Sequence, residues 1–245
     1  VLGLAKALFF GPFGAAQTRG LPILYGFSPA VIAPPADWPH DAQVTGYWFL
    51  EAEAEWTPPP ALVDFLAAGP PPVYVGFGSM TNRKPEETAA LVITALQQTN
   101  QRAVLLSGWG GLRAGDLPDS IFMLDAAPHD WLLPRMVAVV HHGGAGTTAA
   151  GLRAGVPSII VPFFADQPFW GNRVAELGVG PAPIPRAQLT AERLAAAVQT
   201  AVTNPVVRSE GIELETGGAE TAAAPGDIVD INSATVADLD TLPGI

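Results

Sequence analysis

Short apolar runs and longer mixed segments alternate along residues 71–207, and this alternation predicts strands and helices in turn. The apolar runs predict buried strands at Val73–Phe77, Ala103–Leu106, Ile121–Leu124, Val137–Val140 and Ser158–Val161. The longer segments predict helices at Pro85–Gln98, Gly146–Ala154 and Gln167–Leu177. Thr190 is expected to cap a last helix, in which Leu194 and Val198 share one apolar face. The order of these elements predicts an α/β fold with a parallel sheet and helices on both faces.

The residues that follow the predicted strands indicate where a ligand binds. Ligands of parallel sheets lie at the carboxyl ends of the strands, so Ser79, Ala127 and His142 are expected to gather at one edge. The strand ending at Val140 continues into His141–Thr148, which holds two histidines, three glycines and two threonines. A helix that begins just after a glycine presents free backbone N–H groups and the positive end of its dipole, which predicts an anion site.

The two ends of the chain differ in composition from this central region. Residues 1–70 are rich in proline and irregular, and Pro34-Pro35 and Pro58-Pro59-Pro60 are predicted as loops or linkers. From residue 208 the chain shifts to Gly, Ala, Glu and Thr. This shift predicts a linker at 208–226 and a largely disordered or partly helical tail at 227–245.

The acidic charge is concentrated towards the end of the chain. The net charge is −11, and eight acidic residues beyond Ser209 account for all but −3 of it. Such a chain is not expected to bind nucleic acids or anionic membranes in general, so an anion in its body has to be held by local geometry. The sequence has no cysteine, which excludes disulfides and thiolate metal sites and fits the cytoplasmic location that we predict.

Six motifs follow one another in an order and spacing that resemble a known family. They are the segments Gly76–Met80, Ser107–Leu112, Pro128–Pro134, His141–Thr148, Ala154–Pro157 and Pro162–Asn172. Together they resemble the C-terminal, donor-binding half of the family 1 nucleotide-sugar glycosyltransferases, over roughly residues 20–207. The branch that they resemble most is that of the bacterial and fungal sterol and macrolide glucosyltransferases.

The resemblance implies a GT-B fold, in which two Rossmann-like domains face each other across a cleft. Residues 1–43 would be a remnant of the N-terminal acceptor domain with the interdomain linker, and residues 44–207 the Rossmann-like domain that binds the nucleotide sugar. Carried over by position, the diphosphate contacts are Ser79, His142, Gly144, Gly146 and Thr147. By the same comparison, Asp166 and Gln167 bind the donor sugar, and Ala127 faces the base through its backbone.

The implied reaction is the inverting transfer of a hexose from a UDP-glucose-like or TDP-linked donor to a hydroxyl of a lipid-like acceptor, such as a sterol or macrolide. Neutral donors and a helix dipole stabilise the leaving diphosphate, so neither a metal nor another cofactor is expected. A lipid acceptor would also imply peripheral contact with a membrane. The family's general base is a histidine of the N-terminal domain that none of the four histidines here matches. The chain is therefore expected to be a fragment that binds the donor and transfers little sugar.

Several positions leave alternatives open. Ala150 and Ala126 stand where the plant branch of the family has a ribose-binding Glu and a base-stacking Trp, so the nucleotide base is not fixed. Simpler structural interpretations are a turn hydroxyl for Ser79, a helix N-cap and its neighbour for Asp166 and Gln167, a strand end for His141, and exposed loops for His40 and His129. Packing is the interpretation for Trp109, Trp131 and Trp170, although Trp170 lies near the two sugar residues.

The end of the chain carries a second resemblance. Residues Asp227–Ile245 resemble the first half of the helix-hairpin-helix DNA-binding unit of bacterial competence proteins. We therefore predict a junction between unrelated coding sequences near Val207–Gly211. The alternatives to a glycosyltransferase are a DNA-binding protein of that competence type, for which the acidic tail is unfavourable, and a non-catalytic module that binds a nucleotide sugar.

Overall fold

The computed structural model describes residues 22–40, 42–49, 56–77, 85–106 and 117–203. Among these, the residues up to 49 belong to one compact unit and those from 56 onward to another. In the first unit, strands β1 (Ile23–Tyr25) and β2 (Ala42–Val44) pair in parallel. The ring of Tyr25 stacks on Trp38 at 4.1 Å, so this small unit is held by aromatic contacts as well as by strand pairing.

The second unit contains an all-parallel sheet of five strands. The strands are β3 (Val73–Gly76), β4 (Ala103–Leu106), β5 (Ile121–Leu124), β6 (Ala138–His141) and β7 (Ser158–Ile160). Their order across the sheet is β5-β4-β3-β6-β7. The chain moves outward from β3 to β5 and then returns to place β6 on the other side of β3. The switch point of the topology, where ligands of such sheets bind, therefore lies between β3 and β6.

Helices cover both faces of this sheet, as predicted. They are α1 (Pro60–Ala67), α2 (Pro85–Gln98), α3 (His129–Leu132), α4 (Ala145–Arg153), α5 (Gln167–Glu176) and α6 (Ala191–Thr203). Because side chains of a strand alternate between faces, Val73 and Val75 pack in one core cluster and Tyr74 in another. The first cluster includes α2 and α6 residues, and the second includes Leu62 of α1 and Leu132 of α3.

The predicted elements of this unit lie within one residue of the observed ones. The strand expected at Val137–Val140 runs instead from Ala138 to His141, so the first of the two histidines belongs to the strand. Thr190 caps the last helix, since its Oγ1 accepts a hydrogen bond from the backbone N–H of Arg193 at 3.2 Å. Leu194 and Val198 on this helix are both 1% exposed, which confirms its predicted apolar face.

The prediction of a loop or linker at Pro58-Pro59-Pro60 was wrong for Pro60, because helix α1 begins at this residue. Proline is tolerated in the first helical position, where its missing N–H has no intrahelical partner to lose. Leu62, one turn into this helix, is fully buried beneath the sheet. The proline cluster therefore starts a structural helix rather than a linker.

Some predictions lie outside the described residues. These are the loop at Ser79, the segment around Trp109, and the linker and tail from residue 208 onward. Among the described residues, no helix has the length and apolar character needed to cross a membrane.

We expect helix α1 to contribute to stability through one side chain. Leu62→Ala should lower the free energy of unfolding by about 2–5 kcal/mol, because it leaves a cavity in a fully buried position. Its neighbour Val63 is 42% exposed, so Val63→Ala is the matched control and should cost less than about 1 kcal/mol. Urea unfolding of both variants measures the difference. Equal losses would show that α1 does not pack as described.

Candidate functional site

The turn between β6 and α4 lies at the switch point of the sheet. Gly143 has a φ of +87°, a left-handed conformation that favours glycine. A Cβ at this position would also lie 2.6 Å from Cγ2 of Ile160 on β7. Gly144 is the N-cap residue of α4, and a Cβ there would collide with Nε2 of His142. The two glycines therefore let the chain turn sharply from strand to helix with the His142 ring at the helix start.

The first turn of α4 is available to a ligand. Among the described residues no side chain caps this helix, and the carbonyl of Gly144 accepts the N–H of Thr148 at 2.9 Å and its hydroxyl at 3.0 Å. Gly146 is exposed, and no atom of the described residues lies within 4 Å of the point where its Cβ would be. Thr147, beside it, is half-buried. An uncapped N-terminus with free space before it combines unpaired N–H groups with the positive end of the dipole.

His141 and His142 occupy different environments, although they are adjacent. His141 is fully buried, and its Nδ1 accepts the N–H of Gly143 at 3.1 Å. The neutral ring therefore carries its proton on Nε2, which has no hydrogen-bond partner within the described part of the chain. Burial, followed by the nearby His142 and His129, lowers the pKa of His141 to about 3. This residue stays neutral and inside the protein, which favours its structural interpretation.

His142 is half-buried at the start of α4, where a phosphate would meet it. Burial lowers the pKa of His142, whereas the carboxylate of Asp166 acts in the opposite direction. Its ring is therefore neutral near pH 7 and presents a neutral N–H rather than a full positive charge.

Asp166 and Gln167 stand at the start of α5. Asp166 is exposed at the N-cap position but makes no capping hydrogen bond; its Oδ2 accepts the indole N–H of Trp170 at 2.8 Å. Gln167 is only 4% exposed, and its Oε1 accepts the N–H groups of Phe163 at 2.7 Å and Phe164 at 3.1 Å. The side-chain amide oxygen of Gln167 thus accepts hydrogen bonds from the loop before α5, while the carboxylate of Asp166 remains at the surface.

The turn before α4 and the start of α5 touch each other. A Cβ on Gly143 would lie 3.1 Å from the backbone carbonyl oxygen of Gln167 and 3.5 Å from the Cβ of Gln167. The structure therefore brings His142, Gly144, Gly146 and Thr147 to one place with Asp166 and Gln167 beside them. Their roles as ligands of a diphosphate and of a sugar stay predictions at this point.

Ala127 lies farther along the same sheet edge. It follows β5, which is three strand spacings from β6, or roughly 14 Å. Ala127 itself is half-buried against the second core cluster. A ligand that reached from α4 to Ala127 would have to cross the ends of β3 and β4. A nucleotide is long enough to do this, and a single phosphate is not.

The prediction of an exposed loop for His129 was wrong. His129 is the first residue of α3 and is half-buried, with its Nε2 3.3 Å from the hydroxyl of Tyr74. Burial lowers its pKa, and the neighbouring Asp130 partly offsets this effect. The sequence signal for this helix is the Pro128 that precedes it at the N-cap position. His40 is exposed in a turn, as expected.

The contact between Asp166 and Trp170 was also not predicted. Trp170 was interpreted as a packing residue, and it is indeed 7% exposed, but its N–H reaches the carboxylate one turn before it. The signal was present in the spacing, since residues four apart face each other along a helix. Within the described ranges, no group of three or more His, Cys, Asp or Glu side chains is arranged to hold a metal ion.

The two neighbouring glycines of the site should respond differently to alanine. Gly143→Ala should lower the free energy of unfolding by at least about 1–2 kcal/mol, because of the left-handed φ, and further because of the contact with Ile160. Gly146→Ala should raise it by about 0.5–1 kcal/mol, because its Cβ enters open space and the helix gains a better helix former. Chemical denaturation compares the variants, and destabilisation by Gly146→Ala would contradict the open space described.

The buried neutral state of His141 makes stability depend on pH. Its pKa falls from 6.5 to about 3 on folding, so below pH 6.5 the unfolded chain takes up a proton that the folded protein does not. Stability is then lost as the pH falls, by up to about 1.4 kcal/mol per pH unit from this group. His141→Asn keeps an acceptor for Gly143 without titrating, so its stability should fall less steeply between pH 6 and 4.5. Parallel curves for the two proteins would show that His141 is not responsible.

Comparison with protein families identifies residues 109–234 as matching the domain described as erythromycin biosynthesis protein CIII-like, C-terminal domain. This range extends past the predicted junction near residue 207. The chain is also 44% identical to a sterol 3-beta-glucosyltransferase of Arabidopsis thaliana over 215 residues, which make up 87% of this chain and 35% of that protein. The predicted likeness to sterol glucosyltransferases is confirmed, and it includes a plant member.

Solved structures confirm the fold. The calicheamicin glycosyltransferase CalG4 is 26% identical with a TM-score of 0.60, and the match covers 80% of this chain and 47% of that one. The glycosyltransferase VinC, solved in complex with DTDP, is 25% identical with a TM-score of 0.56, and the match covers 75% and 44%. The chain thus spans about a third of the length of the curated relative and about half of each solved structure. On this evidence the chain belongs to the erythromycin biosynthesis protein CIII-like C-terminal domain family of the family 1 glycosyltransferases.

Proposed function

We propose that this chain binds a nucleoside diphosphate sugar, with the diphosphate at the start of α4. We further propose that the whole protein transfers a hexose, with inversion, to a hydroxyl of a sterol-like lipid. The observation that carries the proposal is the uncapped N-terminus of α4 with His142 beside it at the switch point of the sheet. The similarity to a sterol 3-beta-glucosyltransferase supports the acceptor class, and the similarity to a glycosyltransferase solved with DTDP supports the donor class.

The diphosphate is the leaving group of the proposed reaction. When the bond between the sugar and the diphosphate breaks, negative charge develops on the phosphate oxygens. The N–H groups of Gly146 and Thr147, the helix dipole and a neutral N–H of His142 are fixed donors that stabilise this charge. Because the donors are already in place, we propose that the reaction needs no metal ion.

The sugar of the donor would lie beside α5. Asp166 is exposed at the start of α5, which contacts the turn that carries His142, so its carboxylate is placed to accept hydrogen bonds from sugar hydroxyls next to the diphosphate. Gln167 is proposed as the second sugar residue, although its Oε1 is engaged by Phe163 and Phe164. The base would extend towards Ala127, where a uracil and a thymine are both candidates.

Calorimetry with the full 245-residue chain tests donor binding. We expect UDP or dTDP to bind, and His142→Ala to weaken the binding by about tenfold or more, because a hydrogen bond to a charged group contributes about 1.5–3 kcal/mol. His40→Ala is the matched control, since His40 is exposed in the other compact unit. EDTA should leave the affinity unchanged.

Two outcomes would contradict this proposal. If neither nucleotide binds, the start of α4 is not a diphosphate site. If His142→Ala and His40→Ala have the same affinity as the unaltered chain, the site lies elsewhere on the protein.

A further inference from the structure

Helix α5 begins with a surface carboxylate that is held from within the protein. Trp170, one turn into the helix, is only 7% exposed, whereas Asp166 is exposed. The indole Nε1–H of Trp170 donates to Oδ2 of Asp166 at 2.8 Å. A carboxylate acceptor makes this a charge-assisted hydrogen bond, stronger than one between neutral groups. The side chain of Asp166 therefore has a fixed orientation at a position where surface side chains ordinarily change rotamer.

The backbone that carries Asp166 is also fixed. Ala165 has a φ of +57°, a left-handed conformation that a residue with a Cβ rarely adopts. Oε1 of Gln167 accepts the N–H groups of Phe163 and Phe164, and so holds the loop on the other side of Ala165. The loop thus determines where Asp166 stands, and Trp170 determines how its carboxylate is turned.

We propose that Trp170 is a positioning residue for recognition of the donor sugar. Its N–H occupies Oδ2 of Asp166 and leaves Oδ1 to accept hydrogen bonds from the sugar. A carboxylate that is already oriented loses less conformational entropy when the sugar binds, so its affinity for the sugar is higher. The inference rests on the proposed function, because it assumes that the sugar of a nucleotide donor lies against Asp166.

The hydrogen bond from Trp170 acts on the orientation of the carboxylate. Asp166 is exposed to water at the N-cap position of α5, and its side chain makes no capping hydrogen bond that would fix it. The indole N–H of Trp170 therefore contributes by orienting the carboxylate of Asp166. Trp170→Phe keeps an aromatic ring in the buried position and removes the N–H donor together with part of the indole. The matched Trp131→Phe variant controls for the lost ring atoms.

The decisive measurement is the gain in affinity that the sugar provides. Calorimetry of the full chain is done with UDP and UDP-glucose, and with dTDP and dTDP-glucose. For each pair it gives the ratio of the Kd of the free nucleotide to the Kd of the nucleotide sugar. In Trp170→Phe this ratio should fall about tenfold, which corresponds to about 1.4 kcal/mol, while affinity for the free nucleotide stays within about twofold. Trp131→Phe is the matched control, because Trp131 lies on α3 and its ring packs on Trp56 at 5.1 Å and on Arg135 at 4.2 Å.

A double-mutant cycle shows whether Trp170 acts through Asp166. Asp166→Ala alone should remove the gain from the sugar, and adding Trp170→Phe should cause no further loss. A ligand-free readout comes from the indole N–H signals in a ¹H–¹⁵N spectrum, in which the signal missing from Trp170→Phe identifies Trp170. That signal should lie downfield in the unaltered chain and move upfield in Asp166→Ala.

The outcomes distinguish this inference from the proposed function. Absence of any nucleotide binding overturns both. Nucleotide binding with an unchanged sugar ratio in Trp170→Phe, or with an equal loss of free-nucleotide and sugar-nucleotide affinity, overturns the positioning role alone. An additional loss from Trp170→Phe in the Asp166→Ala background would also overturn it, because the tryptophan would then act by another route.

Discussion

The left-handed turn at Gly143 is the constraint on which the site depends. A φ of +87° allows β6 to pass into α4 within three residues, so that the helix points its N-terminus at the edge of the sheet. The absence of a Cβ at this position also allows Ile160 of β7 and the first residue of α5 to approach. Gly143 thus determines the direction of α4 and allows the start of α5 to pack closely against the turn before it.

The neighbouring histidines show how strand geometry divides two similar residues. His141 is the last residue of β6 and is buried with its strand, whereas His142 already belongs to the turn and reaches the start of α4. His141 gives the turn an acceptor for the N–H of Gly143, and His142 gives the edge a donor. The buried ring stabilises the loop from which the other ring acts, and both remain neutral because burial disfavours their charged forms.

Much of the fold around the five-stranded sheet could be predicted from the sequence, because buried parallel strands and amphipathic helices have strong local patterns. Helix α1 was missed because a proline cluster has the same appearance in a linker and at a helix start, and only the burial of Leu62 separates them. His129 was misplaced for a related reason, since its partner Tyr74 is distant in the chain. The motifs predicted which residues would meet at α4 and α5, but the hydrogen bonds of Gln167 and Trp170 depend on side-chain directions that no motif specifies.

The contact between Gly143 and Gln167 has a consequence for how such a protein changes over time. Because the turn before α4 rests on the first residue of α5, neither segment has room to move without displacing the other. New preferences for a ligand are therefore easier to acquire from exposed side chains, such as Phe164 and Phe169, than from the packed residues between the two helices. A substitution at Gly143 or Gln167 is therefore expected to disturb both helices, whereas one at Phe164 or Phe169 changes the surface alone.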